Sequence, residues 1–197
     1  MFDNLKKYNI VLASNSPRRK ELLQRLGLPF RVRTLLGVDE TWPRELRGAD
    51  VPRYLSRKKA EAYRGSLADN ELVITADTVV CIDGQVLGKP QNVNEARLML
   101  RQLSGHTHHV YTGVTVMTVS KSETICADTA VTFATLSDEE IDYYVDNYLP
   151  LDKAGAYGIQ EWIGYIGIDR IEGSFYTIMG LPVHLVHDLL SEAVLLH

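Results

Sequence analysis

The chain is poor in cysteine: two in 197 residues, Cys81 and Cys126, with no CxxC pair and no metal-ligand spacing. That argues against a disulfide framework and against a cysteine-built metal site. Each cysteine lies inside an apolar, strand-like segment, which predicts two reduced core thiols. No apolar run approaches the roughly 20 residues that a membrane-spanning helix needs. The first nine residues, MFDNLKKYN, hold no apolar core of signal-peptide length and no small-residue cleavage site, so a soluble cytoplasmic protein is expected. The phosphate-loop pattern G-x-x-x-x-G-K-S/T and the dinucleotide pattern G-x-G-x-x-G are both missing. Internal repeats, low-complexity tracts and Pro/Gly-rich linkers are missing too, and a single domain over residues 1–197 is expected. Basic patches interleaved with aromatics are lacking, so nothing points to nucleic acid.

What is present is an ordinary globular composition, 45% hydrophobic and 23% charged. A chain of this length buries roughly 70% of the surface its unfolded form exposes. The net charge of −4 hides an asymmetry: residues 1–60 hold 14 Lys/Arg against 6 Asp/Glu, a balance of +8, and the remainder balances at −12. A basic third on an acidic protein suggests a local anion site.

Strand and helix signals alternate, which predicts an α/β fold. Asn9–Ala13 reads as a strand. Ser16 then reads as an N-cap and Pro17 as the first residue of a helix that Gly27 ends. Strands are expected over Pro29–Leu36 and Leu72–Ile82, with a hairpin turn at Asp83-Gly84. Val110–Val119 and Thr124–Thr135 read as paired strands, and Trp162–Ile168 and Phe175–Met179 as further strands. Helices are expected over Val51–Tyr63, Asn92–Leu103 and Pro182–Leu190. A capping box at Ser137 to Glu140 opens one more, to about Tyr148.

Three constellations carry chemistry. Ser14-Asn-Ser16-Pro-Arg18-Arg19-Lys20 joins a strand to a capped helix start, where backbone N–H groups and the helix dipole favour an anion. Two serine hydroxyls and two guanidinium forks add donors matched to phosphate oxygens. Cations at a helix start oppose the dipole, so placing three there wants a reason. Asp77 is a carboxylate inside an apolar strand, sharing a face with Val73, Thr75 and Val79. Such a group is costly unless it is paired or holds a metal. Lys59 shares the helical face of Leu55 and Ala62, whereas Lys58 falls with Tyr54 and Glu61. Lys59 therefore turns toward the body of the protein, as a site charge or as a snorkelling side chain. Lys89 in Gly88-Lys-Pro90 and the acidic pair Asp39-Glu40 are weaker signals. His106-Thr-His108-His109 looks like a metal cluster without partners, and Tyr143, Tyr144 and Tyr148 share a helix.

Leu12-Ala-Ser-Asn-Ser-Pro-Arg-Arg-Lys-Glu-Leu-Leu23 resembles the N-terminal signature of the Maf family of nucleotide pyrophosphatases. Further matches follow in order: Arg57-Lys-Lys-Ala60, Ala76-Asp-Thr-Val-Val80, Leu87-Gly-Lys-Pro90, Ser104-Gly105 with His108, Asp152-Lys-Ala-Gly-Ala-Tyr-Gly-Ile-Gln160 and Gly180-Leu-Pro182. The resemblance implies a metal-dependent cytoplasmic enzyme, usually a homodimer, that cuts a nucleoside triphosphate between the α- and β-phosphates. It implies an elongated α/β fold with a mixed sheet and a cleft between two lobes, similar to the inosine triphosphatase fold. The Ala-Gly-Ala-Tyr-Gly-Ile-Gln pattern resembles the subgroup acting on dTTP and UTP. Positions matching that subgroup's specificity residues are Arg18, Thr78 and Gln160. Asp77 matches the catalytic base, and Glu40, Lys59 and Lys89 match further charged site positions. The subgroup commonly continues Gln-Gly, whereas here Gln160 is followed by Glu161 and Trp162.

The resemblance and the residue chemistry assign the same roles. Arg18, Arg19, Lys59 and Lys89 would clamp phosphates, with Ser14 and Ser16 assisting. Mg²⁺ or Mn²⁺ would be held by carboxylates, Glu40 and Asp77, together with the phosphates. Asp77 would ligate the metal or take the proton from an in-line water. The Gln160 amide complements O4 and N3–H of uracil or thymine, and cytosine presents the opposite pattern. A pyrophosphatase for modified, methylated nucleotides and a non-enzymatic regulator of cell division are the competing readings.

Overall fold

The computed structural model describes residues 5–191. The described residues form these strands and α-helices in chain order: β1 (Asn9–Leu12), α1 (Pro17–Arg25), β2 (Phe30–Val32), α2 (Asp50–Glu61), β3 (Glu71–Ile82), β4 (Gln85–Leu87), α3 (Val93–Leu103), β5 (Thr107–Met117), β6 (Ser122–Phe133), α4 (Asp138–Tyr148), α5 (Trp162–Gly167), β7 (Ile168–Glu172), α6 (Phe175–Ile178) and α7 (Val183–Ser191). The strands form one seven-stranded mixed sheet in the order β2-β1-β3-β5-β6-β7, with β4 paired to β3. β1 runs parallel to both β2 and β3, and β4 and β7 run antiparallel to β3 and β6. The α/β class expected from the alternating pattern is the class observed. Among the described residues, no helix is long and apolar enough to cross a membrane.

The residues form two compact units. The first takes in the described residues up to Asp77, Thr112–Ala127 and the described residues from Gly180 on; the second takes in Thr78–Tyr111 and Asp128–Met179. In the first, Val11, Ala60, Tyr63, Val73 and Met117 pack together, so α2 lies on the β3 face that carries Val73. In the second, a larger core gathers side chains such as Val80, Leu100, Phe133, Ile141, Tyr144, Tyr157 and Ile163.

Local chemistry sets most of the boundaries. Ser16 caps α1 by accepting from the Arg19 N–H, Pro17 takes the first helical position, and Gly27 closes the helix at φ 74°. Ser137 and Glu140 complete a reciprocal capping box on α4. Asp83 (φ 50°) and Gly84 (φ 77°) make the β3–β4 turn from two left-handed residues.

Several expectations are corrected. The strand expected over Pro29–Leu36 is limited to Phe30–Val32, and Gly37 turns the chain soon after at φ 73°. Trp162–Ile168 is not a strand: Trp162–Gly167 is helical and only Ile168 begins β7. Its apolar pattern serves a helix equally well, since Ile163 and Gly167 at i and i+4 are the buried pair. Phe175–Met179 is likewise a short helix rather than a strand, with Thr177 inward. Cys81 is buried as expected but Cys126 is only half-buried; neither forms a disulfide among the described residues.

Candidate active site

In the first unit, β1 delivers the chain to the start of α1. The Ser14 hydroxyl accepts from the Ser16 N–H (3.2 Å), and the Ser16 hydroxyl accepts from the Arg19 N–H (3.4 Å). Each hydroxyl uses a lone pair for the helix start and keeps its own proton to donate. Arg19 is half-buried, and its Nε donates to the Gly180 carbonyl at 2.8 Å. That bond fixes the guanidinium and gives a physical reason for the Gly180-Leu-Pro182 segment, where Gly180 adopts φ 102°. Loss of hydration lowers the Arg19 pKa first. Asp77 and Glu40 act in the opposite direction, and Arg18 acts with the desolvation. Arg19 therefore lies in the field of both carboxylates.

Those carboxylates converge on Lys59. Its Nζ donates to Asp77 Oδ1 at 2.5 Å and lies 3.0 Å from Glu40 Oε1. Asp77 is nearly buried and Glu40 is exposed. The helical face expected for Lys59 is the observed one: one residue earlier, Lys58 turns to Asp39 at 2.7 Å instead. Asp39 also accepts from the Thr41 backbone and hydroxyl. Together Lys58 and Thr41 hold its carboxyl down at about 2. The acidic pair is thus matched lysine by lysine, Asp39 to Lys58 and Glu40 to Lys59. The β3 face reaches α2 twice more: Thr75 donates to the Ser56 carbonyl (2.6 Å), and Val73 packs by Ala60 and Tyr63.

Asp77 and Glu40 fit a divalent cation by donor type. Both are oxygen ligands drawn to one positive charge, and Mg²⁺ or Mn²⁺ usually takes one or two carboxylates with water and phosphate oxygens filling the rest. Among the described residues, no group of three or more His, Cys, Asp or Glu stands ready for a metal. The histidines of the cluster take separate partners. His106 precedes β5 and bonds the Ser104 carbonyl (2.7 Å), His109 pairs with Asp128 (2.8 Å), and His108 is buried against Tyr157.

The second unit carries Thr78, Lys89 and Gln160. Thr78 is half-buried, next to Asp77 on β3, and Lys89 is exposed just after β4. The loop of Lys89 is tied to the loop of Gln160 by a bond from the Gly155 N–H to the Gly88 carbonyl (3.1 Å). Gly155 lies at φ 68° directly over Val80, where an added Cβ would meet Val80 Cγ2 at 2.9 Å. Gln160 is half-buried at the end of this loop.

Two features escaped the sequence reading. Glu71, nearly buried at the start of β3, accepts from Arg33 at 3.1–3.2 Å and from Arg31, and also from the Ala68 N–H. His108, fully buried, shares a 2.7 Å hydrogen bond with the Tyr157 hydroxyl and meets Phe133 edge-on. Burial, then the neighbouring His109, pulls its pKa down to about 4, so it is neutral at pH 7. The clue for Glu71 was the pair of arginines on an alternating strand; nothing local marked the Tyr157 partner of His108.

Residues 9–193 match the family model described as Maf-like protein. The chain is 55% identical over 192 residues to a dTTP/UTP pyrophosphatase of Phocaeicola vulgatus, covering 98% of this chain and 100% of that one. It is 56% identical to the protein of that name from Bacteroides thetaiotaomicron, with the same coverage. With the one from Porphyromonas gingivalis it shares 57% identity over 194 residues, 98% of each chain.

Proposed function

The chain belongs to the Maf family, and on that footing we propose that it is a nucleoside triphosphate pyrophosphatase acting on dTTP and UTP. The products are the nucleoside monophosphate and pyrophosphate. The observation that carries this reading is the convergence of Asp77, Glu40, Lys59 and Arg19 in the first unit, together with the names its relatives bear.

The α1 start, the Ser14 and Ser16 hydroxyls and Arg18 and Arg19 receive phosphate oxygens. Each close cation–phosphate contact contributes about 4 kcal/mol at an effective dielectric of 20, before desolvation is subtracted. Lys59 orients Asp77 and carries positive charge to the reacting phosphate. Asp77 accepts the proton of the attacking water, or serves as a metal ligand. Glu40 and Asp77 are the residues that would hold Mg²⁺ or Mn²⁺. Such a cation, when bound, neutralises phosphate charge and assists departure of pyrophosphate. Lys89 adds a further cation for the phosphates. Gln160 reads the pyrimidine edge through its amide, with Arg18 and Thr78 contributing to selection; phosphate contacts alone could not discriminate. The same reading makes the protein a cytoplasmic homodimer.

A panel of dTTP, UTP, CTP, ITP and 7-methyl-GTP with Mg²⁺ tests the assignment. The reading expects dTTP and UTP to lead and Asp77→Asn to be nearly inactive on both. A clear preference for 7-methyl-GTP would replace it with the modified-nucleotide reading.

A further inference from the structure

The residue after Gln160 is where the sequence parts from the Gln-Gly continuation, and the structure gives that residue definite work. Gly158 to Glu161 form a tight turn, closed by the Glu161 N–H donating to the Gly158 carbonyl at 2.9 Å, with Ile159 and Gln160 at its centre. One hydroxyl ties the two ends of this turn together. Tyr144, fully buried on α4, accepts from the Gly158 N–H at 3.0 Å and donates to Glu161 Oε2. The other carboxylate oxygen of Glu161 lies 3.1 Å from the ammonium of Lys153, which is itself nearly buried.

The turn has little room to shift. A Cβ on Gly158 would lie 2.9 Å from Glu161 Cδ and 3.0 Å from Lys153 Cε. A Cβ on Gly164 would lie 1.8 Å from the Ile159 carbonyl oxygen, so the first turn of α5 closes directly against the same segment. Ile159 and Ile163 are anchored in the core on either side of Gln160. The half-buried Gln160 therefore sits on a peptide whose neighbours are fixed by one tyrosine, one carboxylate and one lysine. A base reader needs this, because a donor–acceptor pair discriminates only if it is held to within a fraction of an ångström.

We propose that Tyr144 and Glu161 are positioning residues for pyrimidine selection: they clamp the Gly158–Glu161 turn and thereby hold the Gln160 amide in the orientation that separates uracil from cytosine. This rests on the reading of Gln160 as the base reader. Neither residue touches substrate, and Lys153 supplies the charge that balances Glu161 inside the fold.

The test measures kcat/KM for UTP and for CTP, with melting temperatures, in Tyr144→Phe, Glu161→Ala, Glu161→Gln and Gln160→Ala. The clamp predicts that Tyr144→Phe and Glu161→Ala each lower the UTP-to-CTP ratio about tenfold, the size of one lost or misdirected hydrogen bond. Glu161→Gln, which still accepts from Tyr144, restores most of the ratio. A merely structural role would lower melting temperature and both kcat/KM values by the same factor, leaving the ratio at wild type. That result overturns the clamp while leaving Gln160 as the reader, provided Gln160→Ala does lower the ratio. An unchanged ratio in Gln160→Ala overturns the base-reading assignment, and the clamp with it. Should Tyr144→Phe fail to fold, the Glu161→Ala and Glu161→Gln pair decides the matter alone.

Discussion

Lys58 and Lys59 are adjacent in sequence and do different things. The 100° turn between neighbours on α2 sends one to Asp39 in an exposed ion pair and the other to the nearly buried Asp77. Exposed pairs of the first kind contribute little. The second places a positive charge against the carboxylate assigned to the chemistry. Asp77→Asn keeps the shape and removes the charge, so kcat should fall by about three orders of magnitude with the fold retained. Steady-state assays alongside melting curves check this; near-normal turnover would remove Asp77 from the mechanism. Both residues were legible because each broke a local pattern: an acid in an apolar strand, a lysine on an apolar helix face.

His108 was not legible in the same way, because its partner Tyr157 lies 49 residues away and only the folded core brings them together. Its prediction concerns stability. A histidine with pKa about 4 when folded and about 6.5 when unfolded binds its proton more readily in the unfolded chain. Its neutral form favours folding fully above pH 6.5, and that contribution is lost as pH falls toward 4, by about 3 kcal/mol in all. Urea midpoints taken at intervals between those pH values should decline, and His108→Gln should flatten the slope. An equally steep slope in the variant would assign the acid sensitivity elsewhere.

At the scale of elements, caps and turns were the readable part. Ser16, Gly27, Asp83-Gly84 and the Ser137–Glu140 box act within a few residues of themselves, so sequence suffices to place them. The helices at Trp162–Gly167 and Phe175–Ile178 were misread because their composition favours strands while their boundaries depend on distant packing. The glycine at 164 admits the Ile159 carbonyl and lets α5 start, a contact no periodicity reveals.

Gly113 plays the corresponding part for α2. A Cβ there would lie 2.3 Å from the Pro52 carbonyl oxygen, so α2 reaches β5 at backbone contact. Ser56 and Thr115, sharing a 3.0 Å hydrogen bond, continue that interface toward Lys59. Gly113→Ala should push α2 away, costing about 1–3 kcal/mol, or roughly 3–10 °C in melting temperature. Activity should drop more than stability alone explains, since Lys59 rides on the displaced helix. Unchanged melting and turnover would show that α2 can adjust freely and that its close approach does not set the site.

At the scale of the whole molecule, the charge asymmetry acquires a structural meaning. Much of the positive charge in residues 1–60 is matched within the fold: Arg25 to Glu21, Arg53 to Asp50 and Lys58 to Asp39 inside that stretch, and Arg31 and Arg33, from the +8 excess, to Glu71 beyond it. Arg18, Arg19 and Lys59 form the smaller group assigned to an anion. The division into two units left no linker in the sequence because three of the four crossings between them, Asp77/Thr78, Tyr111/Thr112 and Ala127/Asp128, fall inside strands, and the fourth, Met179/Gly180, falls in the short connection between α6 and α7. Asp77 and Thr78 are consecutive residues of β3 yet belong to different units, and a composition scan has no means of seeing such a boundary.

A bound divalent cation would draw ligands from the substrate as well as from two carboxylates. Chelation of divalent cations should abolish hydrolysis of UTP, and Mg²⁺ or Mn²⁺ should restore it; full activity in chelator would leave Glu40 without its assigned role.

The most direct test of the central claim is the identity of the products. Phosphorus NMR of UTP incubated with the enzyme and Mg²⁺ should show UMP and pyrophosphate appearing together, with no UDP, and Asp77→Asn should leave UTP intact. Accumulation of UDP and orthophosphate would contradict the account.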